Sequence, residues 1–448
     1  MPNALIVLAA GRGTRMQSDL PKVLHEVAGA PLLVHALDSA RGLHADRTIV
    51  ITGQGAEAVE AAALAYHDTI ECVRQDEQLG TGHAVRQAQG ALADHDGPAF
   101  VLYGDTPFIR AETLEAMAHA LKEASIAVLG FEAAEPGRYG RLVTDGDNLT
   151  RIVEWKDATD EEREITLCNS GVLAANSSLL FDFLAEVTND NASGEFYLTD
   201  LPGIAAERGL KSTVVRCAEA ETLGINSRSE LAEANDAYQQ TRRRKALEDG
   251  VHLQAPATVH FSFDTVLGRD SHIEPNVVFG PGVTVETGAR IRAFSHLEGC
   301  HVSRGAIVGP YARLRPGAEI AEDVRIGNFV EVKNAEIAEG AKINHLSYVG
   351  DASIGASTNV GAVTITCNYD GVMKHRTEIG ARVFIGSNTM LVAPVKVDDE
   401  AMTASGSVIT KDVPEGSLAL ARADQHNKPG LARKLMARLR SIKAKKGT

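Results

Sequence analysis

Two rhythms of apolar and polar positions divide this chain. Up to about residue 225, short apolar runs at 5–8, 48–52, 100–103, 126–131 and 213–216 read as buried strands. Alanine-rich amphipathic stretches at 56–66, 83–92 and 111–123 lie between them and read as helices. Such alternation predicts an α/β fold of Rossmann-like kind, a mainly parallel sheet covered by helices, with ligands beyond the carboxyl ends of its strands. Residues 227–249 read as one helix ending at Gly250, with a basic run, Arg242 to Lys245, that suits a solvated face.

Beyond that helix the period becomes six. Apolar residues recur at Ile273, Phe279, Val285, Ile291 and Leu297. After one apparent insertion they resume at Val308, Leu314, Ile320, Ile326 and Val332, then at Ile343 and Val349, and again at Ile379, Ile385, Leu391, Val397 and Thr403. Small residues or valine sit four places later, as at Val283, Ala289 and Ala312. Six is not a helical period, and it is the hexapeptide signature of a parallel β-helix with three short strands per coil. The phase breaks at 364–371 and at the basic stretch Lys374-His-Arg376, so a loop is expected there on one face. The expected organisation is therefore a first domain at 1–226, a helical linker at 227–249 and a β-helix at 250–448. The 448 residues suffice for about three domains. The basic end of the chain, from Arg433 on, reads as a disordered solvated tail, with an anion-binding flap as the other reading.

Composition narrows the partners. With 45 basic against 59 acidic residues the net charge is −14, which disfavours nucleic acid. Five scattered cysteines without a Cys-x-x-Cys pair argue for a reducing compartment and against a zinc site. No apolar run reaches the roughly 20 residues of a membrane span, and the start lacks a signal-peptide pattern. A cytoplasmic location and no membrane partner are the expectation.

The chemistry concentrates after the first strand. Leu8-Ala-Ala-Gly-Arg-Gly-Thr-Arg-Met16 has Gly11 and Gly13 to let backbone amides approach an anion, while Arg12, Arg15 and Lys22 add positive charge. It is neither a Walker A loop nor a dinucleotide fingerprint, because no Gly-Lys-Ser/Thr follows and Met16 replaces the third glycine. A polyphosphate site is implied. Tyr103-Gly104-Asp105 closes another strand at the same edge, where a carboxylate suits a hard cation such as Mg²⁺.

These motifs, with Pro21-Lys22-Val23-Leu24-His25, Gln78-Leu-Gly-Thr-Gly-His83, Gly194-Glu-Phe-Tyr-Leu-Thr-Asp200, Arg313-Leu-Arg-Pro-Gly317, Gly327-Asn-Phe-Val-Glu-Val-Lys333, His345-Leu-Ser-Tyr348 and Ile365-Thr-Cys-Asn-Tyr-Asp-Gly371, run nearly end to end. In this order the chain resembles the bacterial family of bifunctional N-acetylglucosamine-1-phosphate uridyltransferase/glucosamine-1-phosphate acetyltransferases. The resemblance implies a nucleotidyltransferase domain followed by a left-handed β-helix that assembles as a homotrimer. It implies acetyl transfer from acetyl-CoA to glucosamine 1-phosphate, then uridylyl transfer from UTP with release of pyrophosphate.

It also implies roles. Arg15 and Lys22 would stabilise phosphate charge, and Asp105 with Asn226 would hold Mg²⁺. Leu8, Ala9, Ala10, Gly11, Gln75, Gly80, Thr81, Tyr103 and Gly104 fall on the nucleotide, and Gly140, Glu154 and Asn169 on the sugar. In the second half His345 would be the general base, as a group titrating near neutrality can be. Arg315, Lys333, Tyr348 and Asn359 would hold glucosamine 1-phosphate, and Ala362, Asn368, Tyr369, Ser387, Ser405 and Arg422 acetyl-CoA. Val363 departs from the glycine usual in the family, and a β-branched side chain restricts the backbone there. Two other readings compete: a single-activity sugar-1-phosphate nucleotidyltransferase with a β-helix scaffold, and a non-enzymatic protein with decayed sites.

Overall fold

A computed structural model describes residues 2–11 and 13–446; Arg12 of the glycine loop lies outside the described residues. The chain forms two compact units, one up to Arg242 and one from Arg243 onward.

The first unit is built on the strand Asn3–Leu8, whose residues from Ala4 on are buried. It pairs in parallel with Ala45–Thr52 on one side and Pro98–Tyr103 on the other. The sheet runs Ser212–Cys217, Ile126–Glu132, Leu167–Asn176, Pro98–Tyr103, Asn3–Leu8, Ala45–Thr52, Glu71–Arg74. Only Leu167–Asn176 lies antiparallel to its neighbours, and an antiparallel hairpin, Arg141–Asp145 with Asn148–Val153, joins it. Apolar side chains on both faces form two separate cores, as a sheet covered on both sides requires. The helix expected at 83–92 begins earlier and stops sooner, spanning Thr81–Arg86 before a 3₁₀ turn, Gln87–Gln89. Its start is set by Gly80, at φ 111°, where an added Cβ would meet the Phe196 carbonyl oxygen at 2.6 Å.

The long helix Arg228–Glu248 begins in this unit, where Ala234 joins a small core with Val27, Leu32 and Ile225. Its last turn belongs to the second unit: Arg243 donates to the Val259 carbonyl at 3.0 Å, and Ala246 is buried in that unit's core.

The second unit is a coil of two- to seven-residue parallel strands stacked in three columns, two of which merge where Glu331–Ile337 and Tyr348–Ile354 run on around a corner. This is the hexapeptide β-helix. The period-six residues, from Ile273 to Thr403, are all buried in it. Two details of phase differ from expectation. No residue is inserted after Leu297; Val302 takes the next inward position five residues on, so that coil is one residue short, and Leu297 stacks on Leu314, 17 residues ahead, where Phe279 stacks on Leu297, 18 ahead. The break expected from 364 begins later, because Ile365–Cys367 is a strand with Thr366 buried in phase. The inserted loop follows Cys367.

Some corners in the second unit use glycine for left-handed backbone, as at Gly288 and Gly305, but others adopt it without glycine. One column holds Asn276, Phe294, Tyr311, Phe329, Leu346 and Val363, with φ between 49° and 60°. Each such conformation costs an L-residue about 1–2 kcal/mol. The amides of Tyr311, Phe329, Leu346 and Val363 each donate to a carbonyl one coil back, at 3.0–3.2 Å, which offsets the strain. Phe294 and Tyr311 stack at 4.9 Å, and Tyr311 and Phe329 at 5.2 Å, yet this ridge is half exposed. The basic chain end, expected as a disordered tail, is a helix, Leu431–Lys446; its long unbranched side chains favour that state.

Candidate active sites

The first site is a cleft at the carboxyl ends of the parallel strands. Strand Asn3–Leu8 delivers the glycine loop: Ala9 donates to the Ile51 carbonyl at 2.8 Å, and Ala9 and Ala10 are buried. Gly104 is anchored alongside by donating to the Leu8 carbonyl at 2.9 Å. Leu8, Ala10, Gly11, Lys22, Gln75, Gly80, Thr81, Tyr103 and Asp105 line one half of the cleft. Gly140, Glu154 and Asn169 line the other, of about 470 Å³, and Thr81, Tyr103 and Glu195 face both. Ala9 and Gly104 sit behind the wall as backbone supports. Arg15 is exposed and does not line either half.

Cation placement is the informative feature. The Lys22 ammonium contacts the Asp105 carboxylate directly and donates to Asn226 Oδ1 at 3.0 Å. Asn226 is positioned by its own amide, which donates to Glu230, and Ile225 donates to the Asp105 carbonyl at 3.0 Å. Two hard oxygen donors thus converge on one positive charge. They suit a small divalent ion that takes its remaining ligands from water and phosphate. No cluster of three or more His, Cys, Asp or Glu side chains fit for a metal occurs among the described residues.

Burial shapes the sugar half. It pushes the Tyr103 phenol far above its ordinary range, aided by the charges of Glu154 and Asp105, so Tyr103 is a neutral hydrogen-bond donor. Burial likewise raises Glu154, whose Oε1 accepts from Thr199 at 3.1 Å. Asp200 is pushed up to about 6, by burial and then by Glu154 and Asp157. Sequence reasoning missed Gln78, which donates to the Ala10 carbonyl at 3.2 Å, and the wall residues Arg138, Tyr139, Trp155, Tyr197 and Thr199. The motif at 194–200 signalled the last two.

The second site straddles a corner of the β-helix. His345 is exposed, with Nδ1 at 3.0 Å from Asn328 Oδ1 on the adjacent coil. An amide oxygen there accepts a proton held on Nδ1, which leaves the Nε2 lone pair free. Past the corner, Lys333 lies 4.0 Å from Asp351, and Arg315 donates to Glu331 at 2.9 Å. Asp351 would be raised by burial, but bonds from Asn334 and Asn368 and the Lys333 charge hold it below the ordinary value. Asn368 also bonds the Tyr348 hydroxyl at 3.4 Å. Lys374, from the inserted loop, comes close enough to Lys333 that its ammonium is lowered by that neighbour. Asn359 lies on the coil after Lys342, paired with it in register. Ala362, Ser387 and Ser405 follow one another on successive coils: the Ala362 carbonyl accepts from Asn388 at 2.7 Å, the Ser387 carbonyl from Gly406 at 2.8 Å, and the Ser405 carbonyl from Arg422 at 3.0 Å. Tyr369 is exposed on the loop, its hydroxyl donating to Gly371.

A Rossmann-like sheet with a glycine loop and a lysine–aspartate pair at its carboxyl edge defines a nucleotidyltransferase, and the MobA-like NTP transferase domain family matches residues 5–246. The similarity to single proteins extends through both units. The chain is 62% identical to the Bifunctional protein GlmU of Jannaschia sp. (strain CCS1), over 99% of this chain and 97% of that protein. It is 64% identical to the GlmU proteins of Roseobacter denitrificans (99% of each chain) and of Ruegeria sp. (strain TM1040; 100% of this chain and 99% of that one). It belongs to the GlmU family.

Proposed function

We propose that the chain carries out both consecutive steps of UDP-N-acetylglucosamine synthesis, acetylation of glucosamine 1-phosphate followed by uridylyl transfer. The observation that carries this reading is the 62–64% identity to proteins named bifunctional, which spans both units. A scaffold role for the β-helix is disfavoured by His345 and its Asn328 partner, since a scaffold needs neither.

In the first reaction the amine of glucosamine 1-phosphate attacks the thioester carbonyl of acetyl-CoA. A C–N bond forms, the C–S bond breaks, His345 Nε2 takes the proton lost from nitrogen, and the thiolate leaves as free CoA once protonated. Asn328 fixes the ring for that task as a positioning residue. Arg315, Lys333 and Lys374 offer cations for the sugar phosphate, with Tyr348 and Asn359 for the sugar. Ala362, Asn368, Tyr369, Ser387, Ser405 and Arg422 would meet acetyl-CoA.

In the second, a phosphate oxygen of the acetylated sugar attacks the α-phosphorus of UTP, and pyrophosphate leaves. Like charges approach, so positioned cations and amides do most of the stabilisation. Lys22, Arg15 at the rim and the amides around Gly11 supply it on the nucleotide side, with Gln75, Gly80 and Thr81 beside them. Gly140, Glu154 and Asn169 orient the sugar. Asp105 and Asn226 fit a Mg²⁺ ion, which when bound would neutralise phosphate charge.

We further infer a homotrimer joined through the β-helix, supported by the exposed apolar ridge from Phe294 to Leu346, and a cytoplasmic location. No described helix is long and apolar enough to cross a membrane. The direct test supplies glucosamine 1-phosphate, acetyl-CoA, UTP and Mg²⁺ and follows free CoA and pyrophosphate separately. CoA release without pyrophosphate, or the reverse, would reduce the protein to one activity.

A further inference from the structure

Trp155 is the chain's single tryptophan, and it lines the sugar half of the first cleft. Two guanidinium groups lie over its ring, Arg163 at 4.9 Å and Arg138 at 5.3 Å from the centroid. The two differ in their surroundings. Arg163 donates to the Trp155 carbonyl at 3.4 Å and to Asp160 at 3.0 Å, and it is not part of the cleft wall. Arg138 lines the cleft, is exposed, and forms no ion pair or hydrogen bond among the described residues. The indole alone holds it. Its five N–H donors are therefore uncommitted in a pocket whose other charges are Glu154, Glu195 and Lys156, and the Lys156 ammonium already donates to Ser193 at 2.9 Å.

An anionic sugar phosphate entering beside two carboxylates calls for more positive charge than Lys156 alone supplies, and Arg138 is the cation of that wall whose donors are all uncommitted. We propose that Arg138, stacked on Trp155, is a specificity-determining residue for the sugar phosphate of the uridylyl step. It donates hydrogen bonds to that substrate, and making them shifts its guanidinium on the indole. The inference rests on the reading of this cleft given above. It assigns Arg138 to binding and leaves the chemical step to Lys22 and its neighbours. A planar guanidinium both stacks and donates in a fork, which a lysine cannot imitate.

Because no other tryptophan is present, the emission of the full-length protein reports this pair without a label. Titration with N-acetylglucosamine 1-phosphate should change that emission saturably, at concentrations near the KM for the same compound. Arg138→Ala should raise that KM on the order of tenfold, the worth of a charge-assisted hydrogen bond. The KM for UTP and the rate of acetyl transfer should not move. Arg138→Lys should restore only part of the affinity. An unchanged sugar-phosphate KM in Arg138→Ala overturns the proposal, and so does silent emission in a protein that turns the substrate over. Emission that responds while no UDP-N-acetylglucosamine forms would instead remove the reaction assigned to the cleft and leave the Arg138 contact standing. Arg138 is on the surface, so its loss should not impair folding.

Discussion

His345 is held by one amide oxygen and otherwise faces solvent, so its removal should affect chemistry and little else. His345→Ala should slow acetyl transfer by about 10² to 10⁴ through kcat, with uridylyl transfer intact; near-normal acetylation at neutral pH would remove the base assignment. Asp105 makes the converse prediction. Asp105→Asn removes the anionic partner of Lys22 and a ligand charge, so pyrophosphate release should fall while CoA release holds, and equal loss of both would indicate a folding defect. Asp200 carries a pH prediction. Its carboxyl titrates near 6 when folded, above the value of about 4 expected in the unfolded chain, so protonation favours the folded state. The stabilisation is complete below about pH 4 and lost as pH rises through 6. Asp200→Asn should therefore raise the thermal midpoint relative to wild type at pH 7, with the difference vanishing near pH 4; an equal difference at both pH values would mean the carboxyl is not the cause. At this scale the sequence made the glycine loop, Lys22, Asp105 and His345 legible, because each sits in a compact motif. It hid Trp155 and Arg138, whose places on the cleft come from separate segments folding together, while Gln78 stood in a legible motif without an assigned role. Asn328 was within reach, since it lies 17 residues before His345, one coil of the repeat.

Among the elements, the corner column from Asn276 to Val363 carries the most strain, and Val363 the most unfavourable residue in it. A β-branched side chain at φ 60° is confined in χ1 and crowded against its own backbone. Val363→Gly should gain about 1 kcal/mol in urea unfolding, the relief of that strain less the entropy glycine brings to the unfolded chain. A loss of stability would show that the exposed valine is covered in the assembled protein. The inserted loop is ordered by Asp370, which the His375 ring holds well below the usual carboxylate range, together with the amides of Met373 and Val372. Strand cores were readable from apolar runs alone, as Asn3–Leu8 and Ile126–Glu132 illustrate. Element ends were less so: the turn chemistry of Gly80 moves one helix start, and the short coil after Leu297 mimics an insertion in the sequence because its inward residue, Val302, lies five positions on and out of the six-residue phase.

For the whole molecule, the two units are expected to be separable, but the cut matters. Ala246 is buried in the second unit's core, so a chain ending at Arg242 should keep uridylyl transfer more cleanly than one ending at Ala246. Failure of a folded 1–242 fragment to make UDP-N-acetylglucosamine from preformed sugar phosphate would overturn the assignment of that activity to the first unit. Oligomerisation has its own test. Replacing Tyr311 and Phe329 together by glutamate puts charge on the exposed ridge, and light scattering should then report the mass of one chain rather than three; an unchanged mass places the interface elsewhere. The change of rhythm near residue 250 made both architectures legible, whereas the sharing of helix Arg228–Glu248 between the units depends on which face packs where, and no periodicity records that. The stacking of Leu297 on Leu314, and of Phe279 on Leu297, limits how this half of the chain can change in length. Loss of one residue within a strand turns every later side chain to the wrong face, and the one-residue economy after Leu297 is tolerated because it falls at a corner. Removal of a complete coil instead joins a corner to its equivalent and leaves the remaining faces aligned. Descent with modification can thus lengthen or shorten this half by whole coils, by single residues at corners, or in the loop after Cys367, and of these the loop alone can change at length without altering the stack, which makes it the natural place for related chains to differ in what they grasp.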